Sequence, residues 1–318
     1  MKIVVLEALG VEKKQMDAMR LLFETEGAHE LVCFEERTEN QNELAERAKG
    51  ADVVVLTNIP LTKEFFVQCP DLKYVAIAFT GFDHVDIQYC RENNILVSNA
   101  AGFSDIAVAE LSIALMLDVL RKITELHIRN LQLGTRNGFL GGELNGKTIG
   151  IIGTGRIGSK TAEILKAFGC KLLGYSRSGK SYSGENYIQQ VSKEDLLRNS
   201  DIVSLHIPLN ESTLHFIGES ELQLMKKDAV LINTARGKVI DNYALANALN
   251  LGEIAGAGID VYDSEPPLDM DQPLFGAENV VLTPHIAYAT KEAMLRRLEI
   301  TNENIRLWMK GKPQNVVS

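Results

Sequence analysis

The sequence has few cysteines, no long apolar run and no excess of basic residues. Its four cysteines, Cys33, Cys69, Cys90 and Cys170, lack paired or metal-type spacing, which indicates reduced thiols in the cytoplasm. No apolar run is long enough to span a membrane, and the N-terminus lacks the features of a signal peptide. The net charge of −9 argues against a nucleic-acid partner and an anionic membrane surface.

The chain has 318 residues, 45% hydrophobic and 24% charged, which suits an ordinary globular protein with two domains. Its first part alternates amphipathic stretches, such as 12–26 and 41–49, with short apolar segments. The predicted strands there are 2–6, 30–34, 52–57, 72–79 and 95–98. This alternation predicts a flavodoxin-like parallel sheet with helices on both faces.

The second part repeats the alternation after a predicted hinge at residues 99–102. Ser104 is expected to cap a buried helix over 105–120, and 121–147 is expected to form an arm or loop. Further strands are predicted at 148–152, 171–175, 202–206, 229–233, 256–262 and 280–283, with helices at 159–168, 192–198, 219–225 and 242–251. A last helix over 290–310 is expected to return to the first domain. The predicted domains are therefore 1–99 plus 286–318 for substrate and 100–285 for a dinucleotide.

A glycine motif organises the second domain. It follows a β-branched strand and precedes an amphipathic segment, and it reads Gly153-Thr154-Gly155-Arg156-Ile157-Gly158. Such glycines permit the tight turn, the approach of a pyrophosphate to backbone amides, and close packing of helix on strand. The motif alone is weak evidence, but its place in a strand–helix–strand unit favours a Rossmann dinucleotide site over an empty glycine turn.

Four polar residues follow predicted strands of the same sheet: His206, Arg236, Glu265 and His285. Because parallel strands end at one edge, an Arg, a Glu and a His can converge there beside a dinucleotide. The Arg fork matches a 2-keto acid, the His moves a proton, and a neighbouring carboxylate raises a histidine's pKa and orients it. Each residue alone is more often structural, but their shared location favours a site.

The whole chain resembles the D-2-hydroxyacid dehydrogenase family. Besides the glycine motif, the segments that carry the resemblance are Asn233-Thr234-Ala235-Arg236-Gly237, Gly258-Ile259-Asp260-Val261-Tyr262 with Glu265-Pro266-Pro267, Thr283-Pro284-His285-Ile286-Ala287, Leu205-His206-Ile207-Pro208-Leu209 and Val108-Ala109-Glu110. The resemblance implies two doubly wound α/β domains and a hydride transfer that reduces a 2-keto acid to a D-2-hydroxy acid. It also implies a homodimer formed through residues 121–147.

The resemblance also implies residue roles. Arg236 would bind substrate, Glu265 would raise the histidine's pKa, and His285 would act as acid and base. Backbone amides at Thr80 and Gly81 would hold the substrate carboxylate. The implied cofactor contacts outside the glycine motif are His206, Pro208, Thr213, Ala235 and Asp260, of which Asp260 would hold the nicotinamide carboxamide. No metal is implied.

One segment departs from the NAD-using members of the family, which carry an acidic residue just past the second strand. Here the chain has Ser176, Arg177 and Ser178. A cation flanked by hydroxyls suits a 2′-phosphate, so we expect NADP, while an Arg177 directed to solvent would leave NAD in use.

Glyoxylate or hydroxypyruvate is a plausible substrate for such a chain. An apolar pocket of Phe79, Phe82, Phe103 and Tyr288 would instead admit branched or aromatic 2-keto acids. The alternative function is a dinucleotide-sensing protein like the corepressors that resemble this family. A formate dehydrogenase fits less well, because formate oxidation needs no acid–base histidine.

Overall fold

The computed structural model describes residues 1–177, 179 and 187–318, which form two compact units. Met1–Ser104 and Ala289–Ser318 form the first unit, and Asp105–Tyr288 form the second. The functional boundaries predicted at 99/100 and 285/286 stay a prediction.

The first unit is a parallel five-stranded sheet with the order β2-β1-β3-β4-β5, as in flavodoxin-like folds. Its strands are β1 Lys2–Val5, β2 Glu30–Cys33, β3 Val53–Leu56, β4 Tyr74–Ile77 and β5 Leu96–Asn99. Its helices are α1 Lys13–Gly27, α2 Gln41–Arg47, α3 Lys63–Val67, α4 Ile87–Glu92 and α11 Lys291–Met309. Polar N-caps begin three of them, since Asn40, Asp86 and Thr290 accept backbone N–H groups of α2, α4 and α11.

The core of the first unit lies where α1 and α11 cover one face of its sheet. Phe23 of α1 and Ile305 of α11 are fully buried against β1 and β3. Trp308 of α11 stacks on Tyr74 of β4 with ring centroids 4.7 Å apart. These contacts attach the late helix to the sheet formed by the early part of the chain.

The second unit is a parallel seven-stranded sheet with the order β12-β11-β10-β9-β6-β7-β8, the doubly wound order of a Rossmann fold. Its strands are β6 Thr148–Ile152, β7 Lys171–Tyr175, β8 Gln189–Gln190, β9 Ile202–Leu205, β10 Val230–Asn233, β11 Gly256–Ile259 and β12 Val280–Leu282. Its helices are α5 Asp105–Arg121, α6 Ile123–Leu131, α7 Arg156–Ala167, α8 Lys193–Asn199, α9 Glu219–Leu222 and α10 Asn242–Asn250. Short 3₁₀ turns occupy Gly237–Val239 and Pro273–Gly276.

The buried helix α5 covers one face of the second sheet together with α7, as the apolar sequence of α5 predicts. The other face is covered by α8, α9 and α10. The predicted α/β class with two doubly wound parallel sheets is therefore confirmed. None of the helices in the described part of the chain is long and apolar enough to cross a membrane.

Several details differ from the sequence prediction, among them the additional strand β8 and the earlier end of α9 at Leu222. Helix α7 begins at Arg156, three residues earlier than predicted, because Gly155 is its N-cap. The predicted arm at 121–147 contains helix α6, whose residues are all outside the core. Short helices α3 and α4 are additional.

Candidate active site

Four polar residues and the glycine turn follow five neighbouring strands of the second unit at the carboxyl edge of its sheet. His285 follows β12, Glu265 follows β11, Arg236 follows β10, His206 follows β9, and the Gly153 turn follows β6. The sheet is parallel throughout, so all of these positions lie along one edge. This is the edge at which doubly wound sheets bind their ligands.

His285 and Glu265 are in direct contact. Nδ1 of His285 lies 2.7 Å from Oε2 of Glu265, and the two side chains are 13% and 55% exposed. The ring of Tyr288 meets the imidazole edge-on, with centroids 5.3 Å apart. A carboxylate on Nδ1 fixes the orientation of the imidazole ring.

A fully buried carboxylate holds the turn that carries His285. Oδ1 of Asp260 accepts the Thr283 hydroxyl at 2.6 Å and the Ile286 N–H at 2.9 Å, and Oδ2 accepts the Ala287 N–H at 2.9 Å. Burial raises the pKa of Asp260, and these hydrogen bonds oppose that rise. His285 itself has a left-handed backbone with φ of +54°, a conformation that persists only when its surroundings enforce it.

The Arg236 turn is held by Asn233, the last residue of β10. The Asn233 side chain donates to the carbonyl of Arg236 at 2.9 Å and accepts the N–H of Ala235 at 3.0 Å. The Arg236 guanidinium is half-buried and donates to the Ala235 carbonyl at 2.8 Å. The amide of Asn233 therefore fixes the base of the Arg236 side chain.

A cavity of about 530 Å³ lies farther along the same edge. Eight of the predicted cofactor residues line it: Gly153, Thr154, Gly155, Ser176, Arg177, His206, Pro208 and Thr213. Sequence reasoning missed five more lining residues: Tyr175, Ile207, Asn210, Ser212 and Phe216. The Asn210 side chain accepts the Ser212 N–H at 3.0 Å, a turn that the Asn-x-Ser spacing could have indicated.

The cavity fits a dinucleotide. Gly153 has φ of +96°, and a Cβ there would lie 2.4 Å from the carbonyl oxygen of His206. Helix α7 begins at the cavity with Gly155, a residue without a side chain, as its N-cap, and the N-terminus of a helix offers backbone N–H groups to a pyrophosphate. Arg177 adds a cation to the lining.

The other predicted cofactor residues have different surroundings. Arg156 pairs with Asp105 at 2.8 Å, and Gly158 packs so closely that a Cβ would lie 2.0 Å from the Gly153 carbonyl oxygen. Ile157, Ala235 and Asp260 also lie outside the cavity lining. Ser178 lies outside the described residues.

His206 is the histidine of the cavity. Its Nε2 lies 2.9 Å from the Ser204 hydroxyl, and its backbone N–H donates to the Ile152 carbonyl at 2.7 Å. Burial lowers the pKa of His206 to about 4, so its imidazole is neutral at pH 7.

Thr80 and Gly81 lie in the first unit, in the turn that follows β4. Phe79 and Phe103 belong to the core of that unit, with exposures of 7% and 0% and ring centroids 5.7 Å apart. Both rings are therefore covered within their own unit, as expected of core residues.

Among residues 1–177, 179 and 187–318, no group of three or more His, Cys, Asp or Glu side chains is arranged to hold a metal ion. All four cysteines are free, and burial raises the pKa of each thiol.

Three comparisons identify the relatives of this chain. A glyoxylate reductase of Aeropyrum pernix is 42% identical over 287 residues, which cover 86% of this chain and 85% of the relative. A hydroxypyruvate reductase of Blautia hydrogenotrophica is 32% identical over the full length of both chains. The solved structure of an acyclic imino acid reductase in complex with NADPH and D-Arg is 35% identical, covers both chains fully and superimposes with a TM-score of 0.91.

A family model also matches residues 113–287, more than half of the chain, and describes the NAD binding domain of D-isomer specific 2-hydroxyacid dehydrogenases. The match includes the glycine turn, Arg236, Glu265 and His285. The chain therefore belongs to the D-isomer specific 2-hydroxyacid dehydrogenase family.

Proposed function

We propose that the protein is an NAD(P)H-dependent reductase that converts a small 2-keto acid into a D-2-hydroxy acid. The observation that carries the proposal is the 2.7 Å contact between His285 and Glu265 at the carboxyl edge of a dinucleotide-binding sheet. That pair supplies a proton next to the place where a carbonyl would accept a hydride. The glyoxylate and hydroxypyruvate reductases among its relatives support the same substrate class.

Each residue at the edge has a distinct role in this proposal. Arg236 binds the substrate carboxylate and carbonyl through its planar fork. His285 gives a proton to the carbonyl oxygen during reduction, and Glu265 orients the imidazole through the 2.7 Å contact with Nδ1. Backbone amides of Thr80 and Gly81 hold the substrate carboxylate. A bound nicotinamide dinucleotide supplies the hydride.

We further propose NADP as the preferred cofactor. Ser176 and Arg177 line the cavity, and among residues 1–177, 179 and 187–318 its lining contains no Asp or Glu to bind a ribose 2′-hydroxyl. A 2′-phosphate would gain a charged hydrogen bond from Arg177, whereas NAD would not. NADPH is also the cofactor in the imino acid reductase complex. Arg177 is exposed, so an orientation toward solvent would leave NAD as the cofactor.

A panel of 2-keto acids assayed spectrophotometrically with NADH and with NADPH tests the reductase. We expect glyoxylate and hydroxypyruvate to be reduced, with chiral chromatography identifying D-glycerate as the product of hydroxypyruvate. If every keto acid is inert while the dinucleotide binds, the alternative of a dinucleotide-sensing protein replaces the enzyme.

The proposed enzyme is a cytoplasmic homodimer.

The likeness to an acyclic imino acid reductase makes a C=N bond the second candidate for reduction. It is distinguished by assaying the same panel with and without ammonium or methylamine. A rate that requires the amine supports the imine, and an amine-independent rate supports the keto acid.

A further inference from the structure

The first unit contains a buried carboxylate that no proposed step uses. Glu7 follows β1 and is 4% exposed. Its Oε1 accepts the N–H of Thr57 at 2.8 Å, the Thr57 hydroxyl at 2.6 Å, and the N–H groups of Asn58 and Ile59 at 3.1 and 3.3 Å. One carboxylate oxygen thus fixes the turn after β3, and Asn58 is at the centre of that turn.

Arg37 fixes the side chain of Asn58 on the same turn. Its guanidinium donates to Oε2 of Glu7 at 3.0 Å and to Oδ1 of Asn58 at 2.7 Å. Because Oδ1 accepts from a cation, the amide is held in one orientation. The same contact polarises the amide and makes Nδ2 a stronger hydrogen-bond donor. Within the described residues, no acceptor lies within hydrogen-bond distance of Asn58 Nδ2.

Asn58 lies where this fold binds ligands. The strand order β2-β1-β3-β4-β5 reverses direction between β1 and β3, and the crevice outside the carboxyl ends at such a point is the usual ligand site. The adjacent strand β4 pairs Ile77 with Leu56 of β3 and then leads to Thr80 and Gly81. Adjacent strands are about 5 Å apart, so the two turns are neighbours on this edge.

The Thr80–Gly81 turn also presents donors without acceptors. Asn99 donates to the carbonyl of Thr80 at 2.6 Å and so fixes the turn. The backbone N–H groups of Thr80 and Gly81 donate to no acceptor in the described part of the chain, and the Thr80 hydroxyl is buried without a partner there. A small carboxylic acid that carries a second hydrogen-bond acceptor would accept from the donors of both turns.

We propose that Asn58 is the residue that selects 2-keto acids carrying a hydroxyl on C3. The inference rests on the proposed reductase function, in which the amides of Thr80 and Gly81 hold the substrate carboxylate. Asn58 Nδ2 then donates to the C3 hydroxyl oxygen. Glu7 and Arg37 are positioning residues, because they act only through Asn58.

Three probes isolate this contact: glyoxylate has no C3, pyruvate has a methyl group there, and hydroxypyruvate has a hydroxymethyl group. Asn58→Leu keeps a similar volume and removes the donor. We expect it to lower kcat/KM for hydroxypyruvate by about threefold to tenfold, the usual contribution of one hydrogen bond. The value for glyoxylate should stay unchanged, so the ratio of the two is the readout.

Arg37→Met tests the positioning role, because the freed amide can rotate and present either atom. The hydroxypyruvate-to-glyoxylate ratio should fall in the same direction as in Asn58→Leu. Glu39→Gln is the matched control, since it removes the 2.8 Å ion pair of Arg37 with Glu39 and leaves the contact with Asn58 in place. Its ratio should equal that of the wild type.

The outcomes separate the two proposals. If Asn58→Leu reduces glyoxylate at the wild-type rate and keeps the wild-type ratio, Asn58 does not select the substrate and the reductase function stands. If the wild type reduces none of the three probes with NADH or NADPH, the reductase function itself is wrong.

Discussion

At the scale of single residues, His285 has the most constrained position in the proposed site. Its left-handed backbone and its 2.7 Å contact with Glu265 both fix the orientation of the imidazole. We expect His285→Asn to lower kcat for keto-acid reduction by about 10²–10⁴-fold, because the proton donor is lost. The Kd for NADPH, measured by fluorescence titration, should not change.

His29→Asn is the control for this substitution, since His29 lies just before β2 in the first unit and its Nδ1 lies 3.3 Å from the N-terminal amino group. It should match the wild type in kcat and in cofactor binding. A kcat for His285→Asn within about threefold of the wild type would contradict general acid catalysis by His285.

The second prediction at the scale of residues concerns the choice between NADPH and NADH, which depends on Arg177. A charged hydrogen bond at an exposed site favours NADPH over NADH by about tenfold in kcat/KM. Arg177→Ala should remove most of this preference, and Ser176→Asp should reverse it by offering a carboxylate to the ribose hydroxyls. Added salt should weaken NADPH binding more than NADH binding.

Arg198→Ala provides the comparison for Arg177→Ala, because Arg198 is paired with Glu194 on the exposed face of α8. It should leave both kcat/KM values unchanged. A wild type that prefers NADH, with no response to Arg177→Ala, would place Arg177 in solvent.

At the scale of elements, the turn after β10 depends on one close approach. A Cβ on Gly237 would lie 1.9 Å from the backbone carbonyl of Tyr262, so Gly237→Ala must displace the Arg236 turn or the segment after β11. We expect a loss of about 1–3 kcal/mol in stability and a raised KM for the keto acid. Chemical denaturation and steady-state kinetics measure the two effects.

Gly276→Ala is the matched control, since a Cβ there meets nothing within 4 Å and no positive φ is involved. It should leave the KM for the keto acid and the unfolding free energy close to wild type. An unchanged KM in Gly237→Ala would show that this turn does not position Arg236.

The burial of His206 at the end of β9 predicts that the stability of the fold depends on pH. The pKa of His206 is lowered to about 4 in the folded protein and is near 6.5 when unfolded, so the unfolded state takes up a proton first as pH falls. Stability is therefore lost between pH 6.5 and pH 4, by about 1–3 kcal/mol for a partly accessible imidazole. His206→Asn should flatten this part of the Tm–pH curve, whereas His29→Asn should not.

The sequence predicted the sheets better than the helix ends. The strands predicted at Thr148–Ile152 and Lys171–Tyr175 agree with β6 and β7 residue for residue. The start of α7 was missed because Gly155 serves as its N-cap, and a glycine run resembles a turn in sequence. Helix α6 was missed because its stretch is more polar than α5 and precedes a glycine-rich segment, and none of its residues is buried in the core.

The strand-end residues followed from topology, since a parallel sheet places them on one edge whatever the loops do. The residues that hold these turns and complete the cavity could not be predicted in the same way. Asn233 holds the Arg236 turn, Asp260 holds the His285 turn, and Phe216 lines the cavity. These contacts depend on loop conformations that no spacing or periodicity encodes.

At the scale of the whole molecule, the described structure has an uncovered apolar segment. Helix α6 has nine residues, none of them buried, and Ile128, Leu131 and Leu133 are 51%, 69% and 93% exposed. A helix this short is marginal without tertiary packing, and clustered exposed apolar side chains usually mark an interface. In the proposed homodimer, a second copy of the chain covers these apolar side chains.

We therefore expect the wild type to have a solution mass near twice 35.1 kDa by light scattering coupled to gel filtration. The double variant Ile128→Glu with Leu131→Glu should have the mass of one chain, because burying two unpaired carboxylates costs several kcal/mol. Leu251→Glu is the control, since Leu251 is also 65% exposed but lies after α10, outside residues 121–147. A dimer that persists in the double variant would place the interface elsewhere, and a monomeric wild type would contradict the homodimer itself.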